Sequence, residues 1–459
     1  MTDAIASFLR NIPAAKLAYR FLRDPRAEIR YQRDLRYFRS ICRPFASQQP
    51  EAGPSAIFVS LHDFIPSAKE ECLWATALRL HGANPAFLVS KGARIVDYYK
   101  VFGFTRFIYI NDLVDNAKTA QASRRCEEAL RIAKSYEDLL GLTIDGVFAG
   151  SHALSWILRI LHQGQVDIND PQVRPTLLEW LGKSITNIYA AQALFERHAP
   201  DLMLFNERGY TPYGEFFDIA LLHGTNTIQF CASQRDNARI FKRYTYDTHT
   251  AHPQSISVSN CERFLKEPWT TNKQAALDAE FEHGYAKGKW FNFQRLQHNK
   301  TIKSRQELHA QLGLDPAKKT AVIYSHIFWD ATFFYGKSLY PTYQRWYIET
   351  VKAACRNPAL NWVIRVHPVN VWRLEADGIK SEYYEKTIIA REIGPLPGHV
   401  KLLEPHADVN TYSFFHGSDY CLTVRGTIGL ECACFAIPVI TAGSSRYSDM
   451  GFTIDPKSP

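Results

Sequence analysis

Three short apolar runs in the last third of this 459-residue chain each stop abruptly on polar or glycine-bearing residues. They are Thr320 to Ser325 (TAVIYS) before His326, Trp362 to Val366 (WVIRV) before His367-Pro368, and Asp419 to Val424 (DYCLTV) before Arg425-Gly426-Thr427-Ile428-Gly429. Apolar runs of this length, separated by stretches of helical spacing, predict a parallel sheet wound with right-handed crossovers. Such sheets hold ligands just beyond the carboxyl ends of their strands. The last run is the most restrictive, because it passes through RGTIGLECA into PVITAG at residues 438 to 443, which reads as strand, glycine turn, helix, strand. A helix opening there aims unpaired backbone N–H groups at an anion.

The same alternation recurs earlier. A Pro/Gly/Ser/Gln stretch at residues 47 to 55 reads as a linker. After it come a strand at Ala56 to Leu61, the pair His62-Asp63, a helix from about Ser67 to His81, and strands at Asn84 to Ser90 and Thr105 to Ile110. Helices are expected near 113–140 and 171–199, and Asp201 to Phe205 forms a strand that ends on Asn206-Glu207-Arg208-Gly209. A helix from Thr211 to Gly224 then precedes a strand at Thr227 to Phe230. Segment 262–300 is aromatic, basic and poorly periodic, which suits a bridge, and a helix at Ser304 to Leu312 leads into the second set of strands. A helix at Pro341 to Arg356, a strand at Val400 to Leu403 and a helix near 408–416 complete that set. The chain exceeds what one core usually supports. The expected division is a basic helical extension at 1–50, a first Rossmann-like domain at 51–300 with 262–300 bridging, and a second at 301–459. The sequence ends on TIDPKSP, where a doubly wound domain would carry at least one more helix, so either that domain is short or the chain is truncated there.

With 46% hydrophobic and 22% charged residues the chain has an ordinary globular composition. It contains no uninterrupted apolar run of about 18 residues that would cross a bilayer. The N-terminus lacks the design of a secretion signal. Nine scattered cysteines without C-x-x-C pairs suit reduced, packed thiols in a cytoplasm, and Cys432-Ala433-Cys434 has no second pair at zinc spacing. The net charge of +8 is uneven: residues 1–43 hold ten Lys/Arg against four acids. Ile5, Phe8, Leu9, Ile12, Leu17, Phe21 and Leu22 recur there near helical spacing. A helix of this kind either lies on an anionic membrane surface or packs on the body with a solvated basic face. Aromatic residues are not interleaved with the charges and no nucleic-acid module follows, so no nucleic-acid partner is expected.

Several residue groups carry possible chemistry. Gly426, Thr427 and Gly429 permit a tight turn and close backbone approach to a diphosphate or nucleotide phosphate, and Arg425 would add a second phosphate contact. Glu431, one turn into the helix, suits the vicinal hydroxyls of a ribose, or is an ordinary first-turn carboxylate. Arg365 and His367 alternate onto one side of their strand, where they suit a phosphate or carboxylate; the plainer reading is a histidine bonded within its turn. From His326 through Trp329, Asp330, Tyr335 and Gly336 runs an aromatic loop that either covers a sugar or base or is simple packing. In the first half, His62, Asp63, His152 in Gly150-Ser151-His152, and Glu207 follow strands or turns, either as acid/base groups or as caps and turn residues. Asp63 or Glu207 would deprotonate an acceptor hydroxyl if it lies within hydrogen-bond reach. No Asp-x-Asp pair stands ready to clamp a divalent metal, so a metal-independent reaction is expected.

The runs FWD-x-x-x-x-YG, NWVIRVHP, TVRGTIGLEC and PVITAGSSRYSDMGFTIDP resemble the bacterial capsule polysaccharide biosynthesis and export family, closely over about residues 318–456 and loosely over 200–230. The family's R-x-H-P and S/T-x-G-x-E elements are matched by Arg365, His367, Pro368 and by Thr427, Gly429, Glu431, whereas Arg425-Gly426 replaces a small polar pair. The resemblance implies a GT-B-like α/β fold, two doubly wound Rossmann-like domains facing a cleft. It also implies a glycosyltransferase that takes a CMP- or UDP-linked sugar as co-substrate, with no further cofactor. Residues and resemblance together nominate His326, Arg365, His367, Arg425, Gly426, Thr427, Gly429 and Glu431 for the donor, and Asp63, Glu207 and His367 for catalysis. The acceptor would be a glycan or lipid-linked glycan, met in the cytoplasm at the inner membrane through residues 1–43. A non-catalytic capsule assembly or export factor, or a nucleotide-sugar epimerase or hydrolase, are the alternatives.

Overall fold

The computed structural model describes residues 21–22, 24–42, 53–233, 235, 237–286, 297, 299–330, 332–368 and 384–459. Eleven strands among them form two sheets. The first contains β1 (Ser55–Ser60), β2 (Asn84–Val89), β3 (Phe107–Tyr109), β4 (Leu202–Phe205), β5 (Asn226–Ala232) and β6 (Arg239–Tyr244), in the order β3-β2-β1-β4-β5-β6. The second contains β7 (Thr320–Tyr324), β8 (Asn361–Arg365), β9 (Val400–Leu403), β10 (Tyr420–Thr423) and β11 (Val439–Thr441), in the order β11-β10-β7-β8-β9. β1 pairs in parallel with β2 and β4, and β7 with β8 and β10. Both orders are therefore doubly wound and Rossmann-like, and each reverses direction beside its first strand. The reversal lies between β1 and β4 in the first sheet and between β7 and β10 in the second. Ligands in such sheets bind outside the carboxyl ends of the strands at that reversal. Asp63 and Glu207 follow β1 and β4, and His326 and Gly426 follow β7 and β10.

The described chain divides into two compact units, one of residues up to Asp115 with Tyr189–Asn206 and Thr225–Thr227, the other of Asn116–Ile188, Glu207–Gly224 and Ile228–Pro459. Every residue of β7 and β8 is buried, as expected of strands covered on both faces. Alternate residues feed two cores: Ala321, Ile323, Trp362 and Ile364 meet Trp346 and Tyr347 on one side, while Val322, Tyr324 and Val363 meet Phe414 and Cys421 on the other. In the first unit Phe87 stacks on Tyr99 at 3.9 Å between ring centres, and the buried Glu71 accepts the Ser60 hydroxyl at 2.6 Å. Within the expected extension, Pro25–Cys42 is a helix packed on this unit. Its Tyr31 hydroxyl donates to Asp97 at 2.7 Å, and its Glu28 pairs with Arg94 at 2.8 Å. The rest of the extension, residues 1–20, 23 and 43–50, lies outside the described residues.

Three local features go beyond what the sequence led us to expect. Gly150-Ser151-His152 follows a tight turn between the bridged residues Ile144 and Val147 and forms the first turn of helix Ala149–Leu161, because the run ALSWILRIL buries Ala153, Leu154, Ile157 and Leu158 at helical spacing. The poorly periodic segment 262–300 holds the end of helix Val258–Leu265, helix Thr271–Phe281 and a π-helical turn, Glu282–Ala286, that delivers Tyr285 into the second core. The helix expected near 408–416 begins only at Tyr412, which leaves Thr411 outside it. Among the described residues no helix is long and apolar enough to cross a membrane, and no group of three His, Cys, Asp or Glu side chains could hold a metal ion. All nine cysteines are unpaired thiols, and Cys434 is exposed.

Ile364 is fully enclosed on β8, beside the central strand of the second sheet. Ile364→Ala is expected to lower the unfolding free energy by about 2–5 kcal/mol, measured by denaturant titration, through lost burial and the cavity left behind.

Candidate functional site

The turn after β10 is organised by His326. Its Nε2 accepts the backbone N–H groups of Val424 and Arg425, both at 3.2 Å, and lies 3.1 Å from the Thr423 hydroxyl. An imidazole nitrogen that accepts two amides carries no proton, so the ring is neutral with its hydrogen on Nδ1. Burial, aided by His367 and Arg425, pushes its pKa down to about 3, consistent with that state. Gly426, whose N–H donates to the Thr423 hydroxyl at 3.3 Å, then stands at the N-cap of helix Thr427–Cys434. Its carbonyl accepts the Tyr447 hydroxyl at 2.6 Å. Gly429 is where a side chain would fail: a Cβ there would lie 2.2 Å from the Tyr447 oxygen. The close approach that this glycine allows is thus to Tyr447, rather than to a ligand.

A cavity of about 190 Å³ opens at this turn, lined by His326, Arg365, His367, Thr411, Thr427 and Glu431 among others. Arg365 and His367 do face one space, as strand alternation requires. The Arg365 guanidinium donates from Nε and Nη2 to the Thr411 hydroxyl, at 3.2 and 2.8 Å. Its Nη1 is buried and has no hydrogen-bond partner among the described residues. No carboxylate pairs with it there either, and burial lowers its pKa. The His367 backbone N–H donates to the Ser325 hydroxyl at 2.9 Å, which in turn donates to Glu385 at 2.8 Å.

Glu431 reaches the same cavity from the helix, and its carboxyl accepts the hydroxyl of Tyr285. Burial pushes its pKa up to about 7, against the hydrogen bond from Tyr285 and the charge of Arg446. Tyr285, Thr427 and Glu431 also border a larger cavity of about 950 Å³ walled by Trp269, Phe281 and Leu430.

Arg425 points elsewhere. Its Nη1 donates to the Tyr335 carbonyl at 2.8 Å and its Nη2 to the Ser338 hydroxyl, so the second phosphate contact expected of it is instead a brace on the aromatic loop. That loop is largely packing: Trp329 is buried with its ring 5.1 Å from that of His162, which closes it to stacking on a base. Phe334 presses on Gly209, where a Cβ would approach its ring to 2.1 Å. Around Tyr335 and His252, Arg425 is joined by two further arginines. Arg208 donates to the carbonyls of His249 and Ala251, the second at 2.7 Å, and Arg446 donates to Gln254. Burial together with Arg446, Arg208 and Arg425 pushes His252 down to about 2. None of these arginines forms an ion pair among the described residues, so the region is strongly positive.

Glu207, next to Arg208, accepts that residue's backbone N–H at 2.8 Å. Burial raises its pKa to about 7, offset in part by Arg159 and Arg208. Asp63 is exposed in the first unit, and its carboxylate accepts the Ile95 N–H at 3.0 Å at the start of helix Ile95–Val101. His152 Nε2 lies 2.8 Å from Asp218, and a Cβ on Gly214 would strike its ring at 2.4 Å. Burial lowers the His152 pKa, but the charge and hydrogen bond of Asp218 outweigh it, and the net shift is upward. His152, Asp218 and Arg208 line a third cavity, of about 330 Å³, with Phe148, Phe333 and Phe334. Sequence reasoning missed Tyr285, Thr411, Asp218 and Arg446. Arg208 and Arg446 lie within the NERG turn and the PVITAGSSRYSDMGFTIDP run, but nothing local marked Tyr285 or Asp218.

No protein-family model matches the chain, and no curated protein matches it in sequence. Solved structures similar to it include KpsC from Thermosulfurimonas dismutans, a beta Kdo 2,4 transferase, at 15% identity and a TM-score of 0.34 over 57% of this chain and 74% of that one. A UDP-GlcNAc 2-epimerase from Neisseria meningitidis bound to UDP-GlcNAc is similar at 11% identity and a TM-score of 0.26, over 87% of this chain and 86% of that one. Acinetobacter baumannii MurG is similar at 9% identity and a TM-score of 0.21, over 85% and 78%.

The raised pKa of Glu431 has a definite sign in stability. A carboxyl that is harder to ionise when folded stabilises fully below its ordinary value of 4.5, and that contribution is lost as pH rises through about 7. Glu431→Gln keeps an acceptor for Tyr285 and removes the titration. Its melting temperature is therefore expected to fall less steeply than the wild type's across that interval, in a thermal-melt series against pH.

Proposed function

We propose that the chain is a glycosyltransferase that uses a nucleotide-sugar donor, CMP- or UDP-linked, in the synthesis of a bacterial surface polysaccharide. The observation that carries this reading is the buried Arg365 guanidinium, whose Nη1 lacks a partner among the described residues, in a cavity shared with His367, Glu431 and the opening of helix Thr427–Cys434. An unpaired buried cation is costly. A nucleotide phosphate would relieve that cost, and would also accept the free N–H groups of the helix.

In this reading Arg365 and His367 stabilise the charge that builds on the departing nucleotide phosphate, the term that most lowers the barrier to glycosyl transfer. Glu431 binds the ribose hydroxyls after exchanging its bond to Tyr285. Glu207, with a pKa near 7, takes the proton of the acceptor hydroxyl as the new glycosidic bond forms. Asp63 is the second candidate for that role, although it already serves the start of a helix. The acceptor is a glycan or lipid-linked glycan, and the unpaired thiols suit a cytoplasmic setting. A nucleotide-sugar epimerase or hydrolase is the second reading, favoured by two carboxyls, Glu207 and Glu431, both able to give or take a proton near neutrality.

Calorimetric titration with CMP and with UDP separates these ideas. Arg365→Met is expected to weaken binding of the preferred nucleotide about tenfold to a hundredfold, the worth of a hydrogen bond to a charged group. Unchanged affinity in that variant would sink the donor site. Glu207→Gln should leave nucleotide affinity intact and slow sugar transfer about 10²–10⁴-fold, read with radiolabelled donor. Isomerised donor without any transfer to acceptor would select the epimerase.

A further inference from the structure

We propose that the outward face of helix Pro25–Cys42 docks the protein on an anionic phospholipid surface, an inference independent of the nucleotide-sugar reading. One face of this helix is committed to the protein. Tyr31, Leu35 and Cys42 are buried, and Glu28 and Asp34 are both engaged, with Arg94 at 2.8 Å and Lys69 at 2.6 Å. The helix therefore has a fixed orientation.

The opposite face combines basic and apolar side chains. Arg26, Arg30, Arg33 and Arg36 are exposed along it, and Arg39 is exposed at its flank. The two acids of the helix are turned away and paired, so no carboxylate within Pro25–Cys42 offsets these charges. Between the arginines stand exposed apolar side chains, Ile29 at 54%, Tyr37 at 61% and Ile41 at 47% of their full accessibility. Phe21 and Leu22, just before the helix, are exposed as well.

Charge complementarity selects the occupant. Arginines attract phospholipid headgroups, while interleaved apolar and aromatic side chains enter the boundary between headgroups and acyl chains. A nucleic acid would use the arginines but gain little from Ile29 and Ile41.

Flotation of the full chain with vesicles tests this. Binding is expected to vesicles of phosphatidylcholine mixed with phosphatidylglycerol, to fall when salt is raised, and to be weak on pure phosphatidylcholine. The double variant R30E/R33E should lower the bound fraction on the order of tenfold or more, since each basic residue near such a surface contributes about fivefold. I29S/I41S should weaken binding at unchanged salt dependence. Both pairs are exposed, so the melting temperature should be unaffected and serves as the control for folding. Equal binding to neutral and anionic vesicles, no effect of R30E/R33E, or retention on RNA with none on vesicles would each overturn the proposal.

Discussion

The candidate site depends on one acceptor atom. His326 Nε2 collects two backbone N–H groups from the turn after β10, and so fixes the direction in which helix Thr427–Cys434 leaves the sheet. Those amides would otherwise be buried donors without partners, each costing about 1–3 kcal/mol. A histidine can do this only in its neutral form, which burial enforces. The residue that sequence reasoning nominated as a donor ligand thus acts first as the support of the turn that opens helix Thr427–Cys434.

The second organising constraint is charge. Arg365, Arg208, Arg425 and Arg446 are each held by neutral oxygens or ring nitrogens, with no carboxylate paired to any of them among the described residues. The nearby carboxyls Glu207 and Glu431 are raised to about 7 by burial instead of being held ionised by these cations. Hydrogen bonds donated to carbonyls and hydroxyls orient a guanidinium but leave its positive charge uncompensated. A region built in this way attracts anions and keeps its own acids poised to exchange protons near neutral pH. On the outer face of helix Pro25–Cys42 the same chain places arginines without carboxylate partners among the described residues, where solvent rather than a cavity surrounds them.

Much of the second sheet was legible because its strands are short, apolar throughout and end on distinctive turns. TAVIY, WVIR and YCLT required little tertiary information, since strands covered on both faces must be apolar at successive positions. The segment before it was not legible. Thr271–Phe281 has almost no apolar periodicity, and its value to the fold comes from Phe281 and Tyr285 at its end, which pack against Phe415. Helix Ala149–Leu161 was missed for the opposite reason. Its glycine and serine opening suggested a turn, although the apolar spacing that follows is helical.

By itself the sequence determined the rhythm of strand and helix, and therefore which residues terminate strands at the reversal of each doubly wound sheet. That much follows from backbone periodicity and from the burial a parallel sheet demands. Which of those residues face a cavity was decided only by tertiary structure. Beyond the last ladder hydrogen bond, side-chain direction is set by whichever partner lies within reach. Arg365, still inside the β8 ladder, keeps the side that alternation gives it and is held there by Thr411, whereas Tyr335 and Ser338 draw Arg425 away from the cavity and Tyr285 claims Glu431. These partners lie from tens of residues to more than a hundred away along the chain, too far for any local pattern to encode.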